Sequence, residues 1–361
     1  MTFRIFGAPH LYVQGEGAID DLPATASKYG KRPVIVADAV VTDLLKDRLR
    51  NLFGDADPVF AEFGGECSAA EIDRIAGEVR SANADLVIGM GGGKTIDAAK
   101  GVRIALDLPI IIVPTIASND SPTSRLAVLY SDDHVLSEVR LMPTNPDAVI
   151  VDTALIVGAP VRFFIAGIGD ALSKCFEVRQ CAKAGGRNFY GGRPTQLSLS
   201  TAQSCFEIIR SKGRAAVGDV SAQRVSQNVE DVVEASVLLS GLSFESGGLS
   251  IAHSLTRGFS SIEAMSATLH GEQVAFGLLV QLALEEHGQG MLGELLEFYG
   301  EIGLPTTIES LGGSQSHCTH IADVTVKTAP YIGNFERQLS VQDIARALSR
   351  LSEMSRDPAF R

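Results

Sequence analysis

The sequence predicts an α/β chain: a Rossmann-like parallel-sheet domain over residues 1–158, followed by an all-helical domain over 159–361. Three observations carry that prediction. Short apolar runs alternate with helical patterns up to about residue 155, the arrangement of an open α/β sheet. One of those runs, Leu86-Val-Ile88, breaks on Gly89, Gly91, Gly92 and Gly93 and passes into a helical pattern from Thr95. Beyond Gly158-Ala-Pro160 the text changes to long helical patterns, and strand signals become scarce.

The predicted strands follow from β-branched and apolar runs. They are Leu11–Val13, Arg32–Asp38, the stretch around Val59 and Phe60, Leu86–Ile88, the fully apolar Pro109–Pro114, Leu126–Tyr130 and Ala148–Asp152. Between them, Ser68 and Glu71 have the spacing of a capping box that starts a helix. The helical half has patterns over 163–183, 195–212, 225–244, 270–287 and 340–354, separated by polar, glycine-rich loops over 184–194 and 312–320. A cleft between two such halves is a natural place for a ligand.

At 361 residues the chain has length for two ordinary domains. Hydrophobic residues make up 45% and charged residues 20%, a globular balance rather than a disordered one. The formal charge of −12 argues against nucleic acid or an anionic membrane surface as partner. Cys67, Cys175, Cys181, Cys205 and Cys318 are odd in number and form no C-x-x-C pair, which fits reduced thiols better than a disulfide framework. With no basic-then-apolar segment at the N-terminus and no run long enough to span a bilayer, a cytoplasmic protein is expected.

The glycine turn is where the chemistry starts. Strand, glycines, helix start is how an α/β sheet builds an anion site: the backbone can approach a phosphate, and the first helical N–H groups carry partial positive charge. It is not G-x-G-x-x-G, because Lys94 takes the last glycine position, and it is not a P-loop, because Ile88 takes the first. Asp38 closes a strand in the same half. There it can accept hydrogen bonds from the ribose hydroxyls of NAD and repel the 2′-phosphate of NADP. It precedes the glycine turn, whereas the usual Rossmann acid follows it. The polar run Thr115-Ile-Ala-Ser-Asn-Asp120 sits at a strand's carboxyl end, where open α/β sheets place ligands.

In the helical half, Asp170, His253 and His270 are the residues that could bind a metal. Their spacing matches no short metal motif, and taken alone the aspartate reads first as a cap or surface charge and each histidine as a hydrogen-bonded core residue. Two nitrogens and one oxygen with an open fourth position is the catalytic zinc pattern. His134, after Asp132-Asp133, reads as a hairpin tip, and His317 and His320 flank Cys318 in a glycine-rich loop. No G-x-S-x-G nucleophile signature is present.

With these residues laid out, nearly the whole chain resembles the glycerol dehydrogenases of the iron-containing (group III) alcohol dehydrogenase superfamily. The resemblance rests on Phe63-Gly-Gly-Glu-Cys67, Gly91-Gly-Gly-Lys-Thr-Ile-Asp97, Pro114-Thr-Ile-Ala-Ser118, Val149-Ile-Val-Asp152, Ala166-Gly-Ile-Gly-Asp170, Phe244-Glu-Ser-Gly-Gly248 and His270-Gly-Glu-Gln-Val-Ala-Phe276. It implies a dehydroquinate synthase-like fold, with Asp170, His253 and His270 as ligands of zinc, or of iron(II). It implies NAD, contacted by Asp38, Gly92, Gly93, Lys94, Thr95, Thr115, Ser118, Ser124, Leu126 and Tyr130, and a small polyol contacted by Asp120. It also implies a homo-oligomer, an octamer. Two positions depart from the family pattern: a common H-x-x-H-N-G run reads His253-Ser-Leu-Thr-Arg-Gly258 here, and Arg125 stands where a small residue is usual.

The implied reaction is oxidation of a secondary alcohol, with glycerol to dihydroxyacetone as the first expectation. A 2-hydroxycarboxylate dehydrogenase of the same superfamily, a dehydroquinate synthase-like lyase and a non-catalytic nucleotide-binding protein are the alternatives. Asp120 favours a diol over a hydroxy acid. A substrate carboxylate about 4 Å from it would cost roughly 4 kcal/mol at an effective dielectric near 20, a cost that Arg125 or Arg257 could offset.

Overall fold

A computed structural model describes residues 2–131, 136–285 and 288–354. The Asp132-Asp133-His134 tip lies outside the described residues. The chain forms two compact units. One is Gly7–Pro160 with Asp219–Gly241; the other is Met1–Phe6, Val161–Gly218 and Leu242–Arg361. In place of the single boundary expected after residue 158, the 219–241 segment joins the first unit and the first six residues join the second. Nothing in their composition marks them, because a helix that joins an α/β core carries the same apolar periodicity as one in a bundle.

The strands are β1 (Tyr12–Gly15), β2 (Pro33–Ala37), β3 (Val59–Glu62), β4 (Leu86–Gly91), β5 (Ile110–Pro114), β6 (Leu126–Tyr130), β7 (Leu136–Leu141) and β8 (Ala148–Asp152). Six of them form an all-parallel sheet in the order β1-β8-β5-β4-β2-β3. Its inner strands β2, β4, β5 and β8 are buried residue by residue, as unbroken apolar runs require when helices cover both faces. The helices of this unit's first stretch are α1 (Leu22–Ala26), α2 (Ala39–Phe53), α3 (Ala69–Ser81), α4 (Gly93–Leu106) and α5 (Thr153–Gly158). On α2, Val41, Leu45, Leu49 and Phe53 recur every four residues and are buried in the core beneath the sheet. Asp38 caps α2 through Val41 N, and Ser68 caps α3 through Glu71 N. Only half of the expected capping box forms. The Glu71 carboxylate turns instead to Gly64 N and to Arg74.

β6 was expected in the main sheet, but it pairs only with β7, as a separate antiparallel ribbon. Its outer edge is satisfied by side chains and loop: Lys100 Nζ donates to Leu126 O, and Val128 N and Tyr130 N donate to Asp97 and to Cys67 O.

The remaining helices are α6 (Val161–Lys183), α7 (Gln196–Ser221), α8 (Gln227–Val233), a π-helical turn (Glu234–Leu239), α9 (Ser240–Gly247), α10 (Ile251–Phe259), α11 (Glu263–Ser266), α12 (His270–Leu284), α13 (Gln289–Ile302), α14 (Cys318–Thr328) and α15 (Val341–Met354). The expected glycine-rich loop over 312–320 holds a short 3-10 turn and the start of α14. In the helical unit α12 is the buried centre, enclosed along nearly all of Gly271–Leu284. Three close approaches set its neighbours. A Cβ on Gly271 would collide with the Ala166 carbonyl of α6, one on Gly169 would stand 2.7 Å from Gly271 O, and one on Gly277 would stand 2.5 Å from Ala252 O of α10. Backbone therefore lies against backbone where α6, α10 and α12 meet.

Candidate functional site

Those contacts carry three side chains to one point in the helical unit. Asp170 follows Gly169 on α6, His270 precedes Gly271 at the first position of α12, and His253 follows Ala252 on α10. One ligand atom from each lies within 4.8 Å of the others, the only such group of three or more His, Cys, Asp or Glu donors among the described residues. Arg162 on α6 grips Glu272 on α12 at 2.7 and 2.9 Å, and Glu272 also accepts from Leu269 N, so the start of α12 is pinned to α6.

Around the three donors is a layer of polar groups absent from the sequence reading. Glu177 Oε2 stands 2.5 Å from His253 Nδ1, while its Oε1 accepts from Ser250 N and His253 N. This fixes the ring so that Nε2 faces Asp170, 3.3 Å from Oδ1. Lys174 Nζ bonds the same Oδ1 and sits 3.2 Å from His253 Nε2. Burial pushes the carboxyls of Asp170 and Glu177 up. The Lys174 ammonium beside the first and His253 beside the second outweigh that and hold both below the ordinary range, so both are ionised. The other Asp170 oxygen, Oδ2, is buried and has no hydrogen-bond partner. A buried acceptor without a donor is costly, and a cation would satisfy it. An ionised carboxylate, an imidazole oriented by a second carboxylate and a second, exposed imidazole fit a divalent metal. Lys174 and Glu177 were legible: with Asp170 they follow i, i+4, i+7 spacing, a charged stripe on an otherwise apolar helix face.

The other candidates belong to the parallel-sheet unit. Along the chain β2 leads outward to β3, β4 then returns beside β2, and β5 continues the other way, so the strand order reverses between β2 and β4. Open α/β sheets bind ligands at such a switch point. Asp38 closes one of these strands and the glycine turn closes the other. This is why the acid can precede the turn in sequence and still share an edge with it. Gly92 caps α4, so the first-turn N–H groups of Gly93, Lys94 and Thr95 have no intrahelical acceptor. Gly91, at φ +150°, would put a Cβ 2.9 Å from Thr95, and Gly93 would put one 2.6 Å from Asn119. The glycines thus admit their own neighbouring loop as well as any ligand.

The expected cofactor residues gather around this turn to different degrees. Thr115 N bonds Gly91 O at 3.1 Å, which holds the loop carrying Ser118 and Asp120 against it. Lys94 pairs with Glu66 at 2.7 Å and lies 5.0 Å from the Tyr130 ring centre. Ser124 is fully buried, and its hydroxyl lies 3.3 Å from Nζ of the enclosed Lys100. Leu126, on the ribbon, is also buried. Asp120 is buried beside the π turn, where Ser240 Oγ donates to its Oδ2 at 2.5 Å. Thr123 Oγ1 donates to Val237 O of the same turn. Of the departures, Thr256 turns its hydroxyl back onto His253 O, and Arg125 is half-buried. All five cysteines are buried and none forms a disulfide among the described residues, and burial holds the Cys175 thiol up to about 11.

A doubly wound sheet with a glycine turn at its switch point, followed by a helical bundle with a two-histidine, one-carboxylate cluster, is the equipment of an alcohol dehydrogenase. The family model described as "Iron-containing alcohol dehydrogenase" matches residues 9–153. A "Glycerol dehydrogenase" of Thermotoga maritima is 41% identical over 313 residues, 86% of this chain and 85% of the relative. A "Glycolaldehyde reductase" of Halobacterium salinarum is 40% identical over 310 residues, 85% of each. The crystal structure of a probable glycerol dehydrogenase from Sinorhizobium meliloti matches with a TM-score of 0.91 at 37% identity, over 98% of this chain and 99% of that one. The chain belongs to the iron-containing alcohol dehydrogenase family.

Proposed function

We propose that this enzyme oxidises a secondary alcohol of a small polyol, glycerol first, with NAD and a divalent metal. The observation that carries the reading is the convergence of Asp170, His253 and His270 with one Asp170 oxygen left without a donor. Those three residues would hold zinc or, since two histidines and a carboxylate suit it equally, iron(II). When bound, the metal supplies Lewis acidity toward the alcohol oxygen, and NAD supplies the hydride acceptor.

The chain's own groups do the rest. Glu177 orients the His253 ring through Nδ1 and leaves Nε2 as the donor. The N–H groups at the start of α4 hold a pyrophosphate, and Asp38 accepts from ribose hydroxyls and disfavours a 2′-phosphate. Lys94, Thr95, Thr115, Ser118, Ser124, Leu126 and Tyr130 shape the rest of the cofactor site. Asp120, with one oxygen engaged by Ser240, accepts from a substrate hydroxyl and repels a substrate carboxylate.

The test is steady-state NADH formation across glycerol, 1,2-propanediol, 2-hydroxybutyrate and glycerol 1-phosphate, with glycolaldehyde assayed in the reductive direction. We expect kcat/KM for glycerol or 1,2-propanediol to exceed that for the hydroxy acid by at least about tenfold. A preference for the hydroxy acid would overturn the polyol assignment, and no NADH from any alcohol would overturn the dehydrogenase assignment. The similarity to a protein named glycolaldehyde reductase makes the hydroxyaldehyde the substrate to compare first in that direction.

A further inference from the structure

The β6–β7 ribbon has two unlike edges. On β6 the groups that point away from β7 belong to Leu126, Val128 and Tyr130, and all three are bonded, to Lys100, Asp97 and Cys67. Backbone groups alternate sides along a strand. The residues opposite Leu126 and Val128 are Leu141 and Val139, so these two aim their N–H and C=O away from β6. Among the described residues no strand pairs with that side. Val139 and Leu141 are also 38% and 45% exposed, two of the few large apolar side chains left to solvent. An outer strand with free backbone groups, apolar side chains and no proline is a template for another strand.

The residues on this edge name the partner. β7 reads Leu136-Ser-Glu-Val-Arg-Leu141. Turned antiparallel on itself about Val139, it sets Glu138 opposite Arg140 and Ser137 opposite Leu141, each twice. Val139, whose backbone groups point outward, exchanges both hydrogen bonds with its own copy. Centring the pair on Ser137 or Leu141 instead sets Glu138 against Leu136 or Arg140 against Met142, and the charge match is lost. Glu138 and Arg140 share one face of the strand and already lie 3.1 Å apart within one chain; Val139 and Leu141 share the other.

We propose that β7 pairs antiparallel with β7 of a second copy of this chain about a two-fold axis at Val139. The two ribbons then form one four-stranded sheet, with alternating Glu138 and Arg140 on one face and, on the other, Val139 beside its own copy and Leu141 beside Ser137 of the second chain. Such a contact is isologous, so every substitution acts twice.

Light scattering on the full-length enzyme tests this. The unmodified chain gives a multiple of the chain mass. Val139→Pro removes the central N–H, and the mass falls to a smaller species. Glu138→Arg and Arg140→Glu each put like charges across the axis and weaken association by at least about tenfold. An equimolar mixture of these two variants sets opposite charges against each other again and regains the unmodified mass, which a purely intrachain ion pair would not produce. A monomeric unmodified enzyme, an unchanged mass in the three variants, or a mixture that stays dissociated would overturn the proposal. So would capture of a different polypeptide on this edge in place of the second copy.

Discussion

In the parallel-sheet unit the proposed pyrophosphate-holding groups are backbone: the N–H groups of Gly93, Lys94 and Thr95 at a helix start, opened by glycines and backed by the loop that follows β5. In the helical unit they are side chains, and each needs its own support. His253 is held by Glu177, Asp170 by Lys174, and the helix carrying His270 by Arg162 through Glu272. A site made of main chain needs only the right turn. A site made of side chains needs a second layer, and that layer is where its weak points lie.

Substitutions can sharpen or break this contrast. The largest effect is expected at a donor of the helical cluster. His253→Ala should lose bound metal and about a thousandfold in kcat/KM, roughly 4 kcal/mol of transition-state stabilisation, with the fold retained. Stoichiometric metal in the purified variant, measured by elemental analysis, would remove His253 from the ligand set. One layer out, Glu177→Gln keeps an acceptor for Ser250 N and His253 N but weakens the grip on Nδ1. Metal affinity, read by competition with a chromophoric chelator, should fall about 10- to 100-fold; an unchanged affinity would mean the second layer is packing alone.

In the parallel-sheet unit smaller effects are expected. Asp120→Asn leaves an oxygen for Ser240 and removes the charge, so the preference for a polyol over 2-hydroxybutyrate should shrink by roughly tenfold, about 1.4 kcal/mol. A ratio that stays the same would pass specificity to the arginines. Smallest is Asp38→Ser. Serine caps a helix nearly as well as aspartate, so α2 keeps its start and the change reports on the cofactor: the ratio of NAD to NADP use should narrow by a fewfold. Equal use of both cofactors by the unmodified enzyme would release Asp38 from that role.

The contrast also explains what was legible in the sequence. The parallel sheet could be read because each inner strand is an unbroken apolar run and the glycine turn punctuates the middle one. Asp170, His253 and His270 could be picked out by residue type, but only the resemblance joined them into one ligand set, because three helices distant in sequence meet at one point and no short spacing records that. The π turn at Glu234–Leu239 and its contacts to Thr123 and, through Ser240, to Asp120 had no signature at all. A π turn changes hydrogen-bond register without changing residue type. Separation of β6 from the main sheet was equally silent, since its outer edge is completed by Asp97, Lys100 and a loop carbonyl rather than by a strand.

The contact of Gly271 with the Ala166 carbonyl has a further consequence. Because main chain meets main chain there, and only Ala275 and Leu304 add side chains at neighbouring Gly169, little side-chain volume enters the separation of Asp170 from His270. The bundle's interior can exchange leucine for isoleucine or methionine, and repack at each step, without retuning the donor set. Constraint on the metal centre and repacking of the hydrophobic interior are thereby largely uncoupled at this contact.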